Sequence, residues 1–243
     1  LPADRALTGR LYGGDDRYRL AQEVILGVGG VRLLEALGHR RVRRFHLNEG
    51  HAALAPLELV RARNDGRPRN EWRFDEVRAS SVFTTHTPVS AGHDRFEWDL
   101  VRRVLGSFVP ADVFEMLGGQ GDRLDLTALA LNLSDFVNGV ARRHAEVSRG
   151  MFPGYGIHHV TNGVHSATWV SAHLGKLYDE HLPGWRVDPA MLRNAVRIPD
   201  GELWDAHVEA KRDLLATVQR LSGRNLDPGA FTIGFARRAT LYK

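Results

Sequence analysis

Short apolar runs alternating with longer helix-periodic stretches constrain this chain more than any other feature. The runs at 42–47, 81–85, 136–137 and 158–161 are each too short for a helix and read as strands. Between them lie helical patterns at 49–63, 98–117, 124–133 and 140–147, with Pro110-Ala111-Asp112 marking a helix start inside the second. Strands separated by helices are the pattern of an α/β domain with a parallel sheet, because parallel neighbours need crossover connections. Upstream, Asp15-Asp16 precede a long helix with apolar positions at Leu20, Val24, Val28, Val31 and Leu34, closing near Gly38. Asn64-Asp65-Gly66 ends the 49–63 helix, and 88–92 is a loop. Downstream, 200–221 reads as an amphipathic helix through Leu203, Val208, Leu214, Leu215 and Val218. A polar connector at 224–229 is the best domain boundary, and 231–235 reads as one more buried strand. No internal repeat or low-complexity tract is visible.

The composition excludes several classes. With 43% hydrophobic and 26% charged residues, the 243-residue chain has globular composition, enough for one large domain or two small ones. Its net charge is +4, but the basic residues are interleaved with acids, as in ARRHAE and EAKRD, which argues against a nucleic-acid partner. No apolar run approaches the ~20 residues of a membrane-spanning helix. The absence of cysteine removes disulfides, thiolate zinc sites and a cysteine nucleophile, and fits a cytoplasmic enzyme. Lysine occurs only at 176, 211 and 243, so Schiff-base chemistry within the chain would need one of those. The chain starts at Leu1 without a methionine and stops in a loop, and we expect it to be an internal piece of a larger enzyme.

Several segments invite a chemical reading. Gly27-Val28-Gly29-Gly30 suggests a dinucleotide fingerprint, but Arg32 stands where the third glycine belongs and the run lies inside a helix. Close helix packing is the better explanation. In His46-Leu47-Asn48-Glu49-Gly50-His51, a strand opens into a helix, placing Glu49 and His51 at a strand's carboxyl end, where α/β sheets bind ligands. The alternative is a helix cap with a surface histidine. The spacing does not fit the helical two-histidine zinc motif, so no metal is expected. Thr84-Thr85-His86-Thr87-Pro88 leaves the next strand, with His86 either presented by a rigid loop or hydrogen-bonded structurally. Asn162-Gly163, after a third strand, is a turn that would let an amide face a ligand, although turn chemistry alone accounts for it. After 231–235 come Arg237, Arg238 and Lys243, fixed cations suited to an anion. We expect these four polar strand ends to share one crevice.

Those segments, in that order, resemble the α-glucan (glycogen, starch or maltodextrin) phosphorylases. The matching pieces include LYGGDDRYRLAQEVILGVGG, HLNEGHAALAPLEL, VFTTHTPVSAGHDRF, NGVARRH, TNGVHSATW and FARRATLYK, and they run over nearly the whole chain. The resemblance implies a GT-B fold of two Rossmann-like domains. Residues 1–229 would be the later part of the first domain, and 230–243 the first strand and start of the second. It implies phosphorolysis of terminal α-1,4-glucosyl units to α-glucose 1-phosphate with retention, using pyridoxal phosphate. The cofactor's Schiff-base lysine would lie outside this chain. By motif, His86 resembles the histidine at the glucosyl unit, with its carbonyl near the developing positive charge. Asn162 matches the amide on the sugar's 6-hydroxyl, while Glu49, His51 and Val140 line the sugar pocket. Trp169, Arg237 and Lys243 fall beside the cofactor, and Arg238 on the substrate phosphate. Where the muscle-type pattern has Asp and Thr, this chain has Glu49 and Gly50. Val164-His165-Ser166-Ala167 also departs from it. The implied partners are α-1,4-glucan and inorganic phosphate, with homo-oligomerisation left open. Rival readings are a sugar-nucleotide-dependent GT-B glucosyltransferase and a non-catalytic glucan-binding module. A retaining hydrolase would need two carboxylates ~5–5.5 Å apart, and only Glu49 suggests itself.

Overall fold

The structure, a computed structural model, describes residues 4–9 and 14–236. It divides after Asn162 into two compact units.

The first unit opens with helix α1 (Asp16–Val24), whose Asp15 side chain caps it by accepting from the Tyr18 amide at 2.9 Å. The helix widens to a π-turn at Ile25–Gly29 and continues as α2 (Gly30–Ala36). Strand β1 (Phe45–Asn48) then leads through a 3-10 turn into α3 (Leu54–Arg63). After α4 (Asp75–Arg78) come β2 (Ser81–Thr85), β3 (Arg95–Glu97), α5 (Trp98–Leu105) and α6 (Ala111–Gly118). Next are β4 (Gly119–Gln120), β5 (Arg123–Asp125), α7 (Leu126–Asn132), β6 (Phe136–Gly139), α8 (Arg142–Met151) and β7 (Ile157–His159).

Strands β1, β2, β6 and β7 form an all-parallel sheet in that order. The α/β expectation therefore holds, with strands within a few residues of the predicted ones. One cross-strand row, Leu47–Phe83–Val137–Ile157, is buried throughout and packs into the main core with Leu54, Leu57 and Leu129 of the helices. The adjacent row on the other face is Asn48–Thr84–Asn138–His158 and is polar. At its ends Asn48 and His158 are exposed. A small antiparallel sheet, β3-β5-β4, was not anticipated, because its strands are only two or three residues long.

The glycine-rich stretch is helix packing. A Cβ on Gly27 would stand 2.8 Å from the Ala55 amide nitrogen and 2.8 Å from Leu54 Cβ, so only glycine lets this helix approach α3. Arg32, the residue that spoils the dinucleotide fingerprint, pairs with the buried Glu58 carboxylate at 2.8 Å. Arg61 grips the same group at 2.7 and 2.9 Å. Burial pushes the Glu58 carboxyl up, but these two guanidiniums outweigh it and hold it below the usual range.

The second unit, among the described residues, is helical. It comprises α9 (Ser166–Trp169), α10 (Ala172–His181), a 3-10 stretch at Pro189–Arg197 and α11 (Asp200–Ser222). A small core of Leu177, Leu182, Trp185 and Ile198 holds it, and His173–Asp213 and His181–Glu202 contacts tie α10 to α11. Helix α11 ends on Gly223 in a left-handed cap. Apart from α11, this unit's helices have no strong periodic signal in the sequence.

One expectation fails here. Residues 231–236 form no strand, and Phe231, Ile233 and Phe235 are exposed. A strand needs a neighbour to satisfy its peptide groups, and the described part of the second unit has no strand to offer.

Candidate functional site

Because the sheet is parallel, every strand delivers its carboxyl end to the same edge. The register aligns Asn48 with Thr84, Thr85 with Gly139 and Gly139 with His159. At ~4.8 Å per strand the four ends span ~14 Å, and open parallel sheets bind ligands along this edge.

The two best-connected residues there are Glu49 and His86. Glu49 is buried and accepts at Oε1 from the Thr85 hydroxyl, 3.2 Å away, and from the His86 backbone N–H. Its Oε2 accepts from the Gly50 amide at 3.3 Å. Among the described residues Glu49 is the only non-glycine with a left-handed φ, 69° with ψ 174°. Such a conformation costs on the order of 1–3 kcal/mol for a residue with a side chain. Its own amide donates to the Thr84 carbonyl at 2.9 Å, extending the β1–β2 ladder by one residue. The His86 side chain is exposed, and its Nε2 lies 2.7 Å from Asn48 Oδ1, which fixes that nitrogen as the donor.

Behind this pair runs a polar chain that the sequence reading missed. Asn138 Oδ1 accepts from the Thr84 hydroxyl at 2.9 Å, and the Thr84 oxygen in turn lies 2.7 Å from His46 Nε2. Period-two spacing from Asn48 to His46, and the parallel register, were the only signals that could have found it.

His51 does not join Glu49. Its Nδ1 lies 3.3 Å from Asp94 Oδ2 and 3.8 Å from Glu23 Oε1, with the Arg19 guanidinium against the same ring. Arg19 also bridges Glu23 at 3.1 Å and Asp94 at 3.0 Å. Burial raises the Glu23 carboxyl to about 8. Burial alone would lower His51, but its hydrogen bonds to Asp94 and Glu23 outweigh that and raise it to about 9. Burial would raise Asp94, yet hydrogen bonds from His51 and Arg19 hold it well below the usual range. Glu23, His51 and Asp94 have the donor atoms of a metal site, within 4.8 Å of one another. A guanidinium already sits among them, so the cluster has its cation, and we read it as an ion network. Arg19 and Glu23 lie one turn apart on α1, but His51 and Asp94 come from segments far along the chain, and no local pattern announces that the four meet.

The remaining predicted residues are scattered. Val140, half-buried just past β6, accepts from the Asn162 amide at 3.1 Å, so the chain leaving β7 passes the end of β6. Gly139 is required there, since a Cβ would lie 2.5 Å from His144 Nδ1. Asn162 is exposed, and the expected Asn-Gly turn is absent: residues 160–165 are irregular and Gly163 has no left-handed φ. Trp169 ends α9 in the second unit and is 78% exposed. Arg237, Arg238 and Lys243 lie outside the described residues, so the fourth strand end of the expected crevice does too. A concavity of about 400 Å³ among Val31, His39, Phe45 and Leu59 borders the opposite, amino end of β1 and touches none of these groups.

A parallel α/β sheet with polar groups gathered at its carboxyl edge is a Rossmann-like ligand-binding arrangement. The chain is 36% identical to the maltodextrin phosphorylase of Thermococcus litoralis, over 100% of its own length and 32% of that protein's. The glycogen phosphorylases of Mycobacterium tuberculosis and Aquifex aeolicus are each 32% identical, over 98% and 100% of the chain and 33% and 40% of their own lengths. No family model matches the chain. Over essentially its whole length the chain is thus similar to maltodextrin and glycogen phosphorylases, and it spans about a third of the length of these relatives. The parallel sheet is consistent with a Rossmann-like domain of such an enzyme.

Proposed function

We propose that the protein containing this chain is an α-1,4-glucan phosphorylase with the two-domain GT-B fold. It would use phosphate to release α-glucose 1-phosphate from chain ends with retention. The observation that carries this reading is similarity to maltodextrin and glycogen phosphorylases over essentially all of the chain. In this reading residues 1–229 belong to the first domain, and 230–243 begin the second. The protein would be cytoplasmic; among the described residues no helix is long and apolar enough to cross a membrane.

The sheet's carboxyl edge would receive the terminal glucosyl unit. There the His86 carbonyl would face the positive charge that develops at the anomeric carbon. Asn162 would hold the 6-hydroxyl, with Val140 against the ring. Arg238 and Lys243 would neutralise the attacking phosphate, since two phosphates in a dry cleft repel strongly and need fixed cations. Pyridoxal phosphate, when bound, supplies a phosphate group that exchanges a proton with the substrate phosphate. The described residues offer it no anchor. Of the described lysines, Lys176 is exposed and Lys211 donates to the Ala230 carbonyl, and the Schiff-base lysine would lie outside this chain.

The test is expression of the complete reading frame that contains this chain, with pyridoxal phosphate, maltoheptaose and inorganic phosphate. Phosphate-dependent glucose 1-phosphate is the expected product, and transfer only from a nucleotide sugar would establish the rival transferase. The 243-residue chain alone should release none. In the complete enzyme Arg238→Ala should raise the KM for phosphate far more than that for glucan. A charge-assisted contact is worth roughly 1.5–3 kcal/mol, a factor of about ten to a few hundred. Lysine at that position should rescue only in part, because it lacks the planar fork. Equal losses toward both substrates would mean that Arg238 only supports its loop.

A further inference from the structure

We propose that Glu49 is a positioning residue, whose buried carboxylate and left-handed backbone set the peptide of His86, and that it does not bind the sugar itself. The proposal rests on the phosphorylase reading for His86 but alters the role that the family resemblance gives to Glu49.

Three observations carry it. The carboxylate is already engaged. It takes the Gly50 amide at 3.3 Å, the Thr85 hydroxyl at 3.2 Å and the His86 N–H, and only 8% of the residue is exposed, which leaves little for a hydroxyl of a ligand. The backbone conformation, φ 69°, is one that glycine adopts freely and glutamate does not. A side chain is kept in that position for what its carboxylate holds. Finally, the grip on His86 is double: Glu49 takes its backbone N–H, and the preceding residue, Asn48, takes its imidazole at 2.7 Å. With the N–H of one peptide plane and the ring both anchored to the end of β1, His86 is held where the chain leaves β2 for the Pro88 loop. These contacts fix the amide, Cα and ring of His86, the base from which its carbonyl, one peptide further on, is presented. That carbonyl is the atom that the phosphorylase reading places beside the anomeric carbon.

Acceptor geometry and negative charge are separable. Glu49→Gln keeps one side-chain oxygen, enough for the His86 N–H and the Thr85 hydroxyl, and loses the charge. Glu49→Gly relieves the backbone and removes every acceptor. In the complete enzyme, kcat should fall in the order wild type, Gln, then Gly. The Gly variant should lose about ten- to a hundredfold, the size expected for a buried charge-assisted hydrogen bond. The KM for glucan should change less than kcat, and the Gly variant should melt no lower than Glu49→Ala. A Gln variant as inactive as the Gly variant, or a loss confined to the KM for glucan, would show instead that Glu49 meets the substrate as a charge.

A second measurement stands whether or not the enzyme is a phosphorylase. Amide hydrogen exchange in the 243-residue chain should speed up at His86 by about tenfold or more in Glu49→Gly, since one hydrogen bond protects that amide. Amides of α10, in the second unit, should keep their rates. Unchanged exchange at His86 would overturn the proposal outright. Absence of glucose 1-phosphate from the wild type, with the exchange result intact, would sink only the phosphorylase reading.

Discussion

Two glycines three residues apart should respond oppositely to the same substitution. At Gly27 an added methyl meets the Ala55 amide and Leu54 at 2.8 Å, and backbone must move. Overpacking costs about 1–3 kcal/mol, which outweighs the gain of up to ~1 kcal/mol from alanine in a helix. At Gly30 nothing lies within 4 Å and the backbone is helical, so Gly30→Ala keeps the full gain. Thermal melting should show Gly27→Ala falling and Gly30→Ala rising; a rise in both would mean that α3 yields to the contact. The failed dinucleotide fingerprint was enough to read this stretch as helix packing. Glu49 and His86 were legible as residues because polar groups after an apolar strand stand out. Their mutual contact was not, since it depends on the pairing of two strands some forty residues apart. The Glu23–Asp94–Arg19 partners of His51 were illegible because they depend on a helix and a loop packing against the turn after β1.

Among elements, the network around His51 joins α1, the turn after β1 and the loop before β3, and its protonation should govern how firmly they hold together. Glu23 is raised to about 8 and His51 to about 9. A group whose folded value is raised stabilises fully below its ordinary value, and loses that contribution as pH climbs through the folded one. Glu23 therefore loses its contribution between about pH 4.5 and 8 and His51 between about 6.5 and 9, whereas Asp94, held low, matters only in acid. Melting temperature should drop as pH rises through those windows, and Glu23→Gln, which cannot ionise, should flatten the lower part of the drop. An unchanged profile in the variant would remove Glu23 from the account. Parallel strands were easy to read because the apolar runs are self-announcing, whereas the small β3-β5-β4 sheet has no run long enough to show. Residues 231–235 carry the right composition for a strand and still do not form one. An apolar run suggests a strand, but a partner edge makes it.

On the scale of the whole chain, apolar surface is left open in several places. Phe231, Ile233 and Phe235 are exposed, as are Trp169, Trp204 and Val187, and Phe136 stacks on His158 on the polar face of the parallel sheet. Parallel sheets are ordinarily covered on both faces, and bare strand edges template association. Purified alone, the 243-residue chain should bind a hydrophobic dye and show a mass above that of a monomer in light scattering. A clean monomer without dye binding would mean that this surface is satisfied within the chain. The two-unit division falls at an Asn-Gly that reads in the sequence only as a turn, with no proline-rich linker or composition shift to mark a boundary.

The order of the parallel strands also sets a timetable. Strands β6 and β7 are linked by α8 alone, so this pair can close early. Joining β2 to β6 brings Thr84 and Asn138 together across 54 residues, and that excursion contains β3, β4, β5 and three helices. Contacts of such separation are slow, because loop closure must precede any reward from pairing. Refolding should thus proceed in two stages. The excursion gains protection with the local strand pairs, and the Thr84–Asn138 seam locks last, so the sheet's carboxyl edge would be the final part of the first unit to exist.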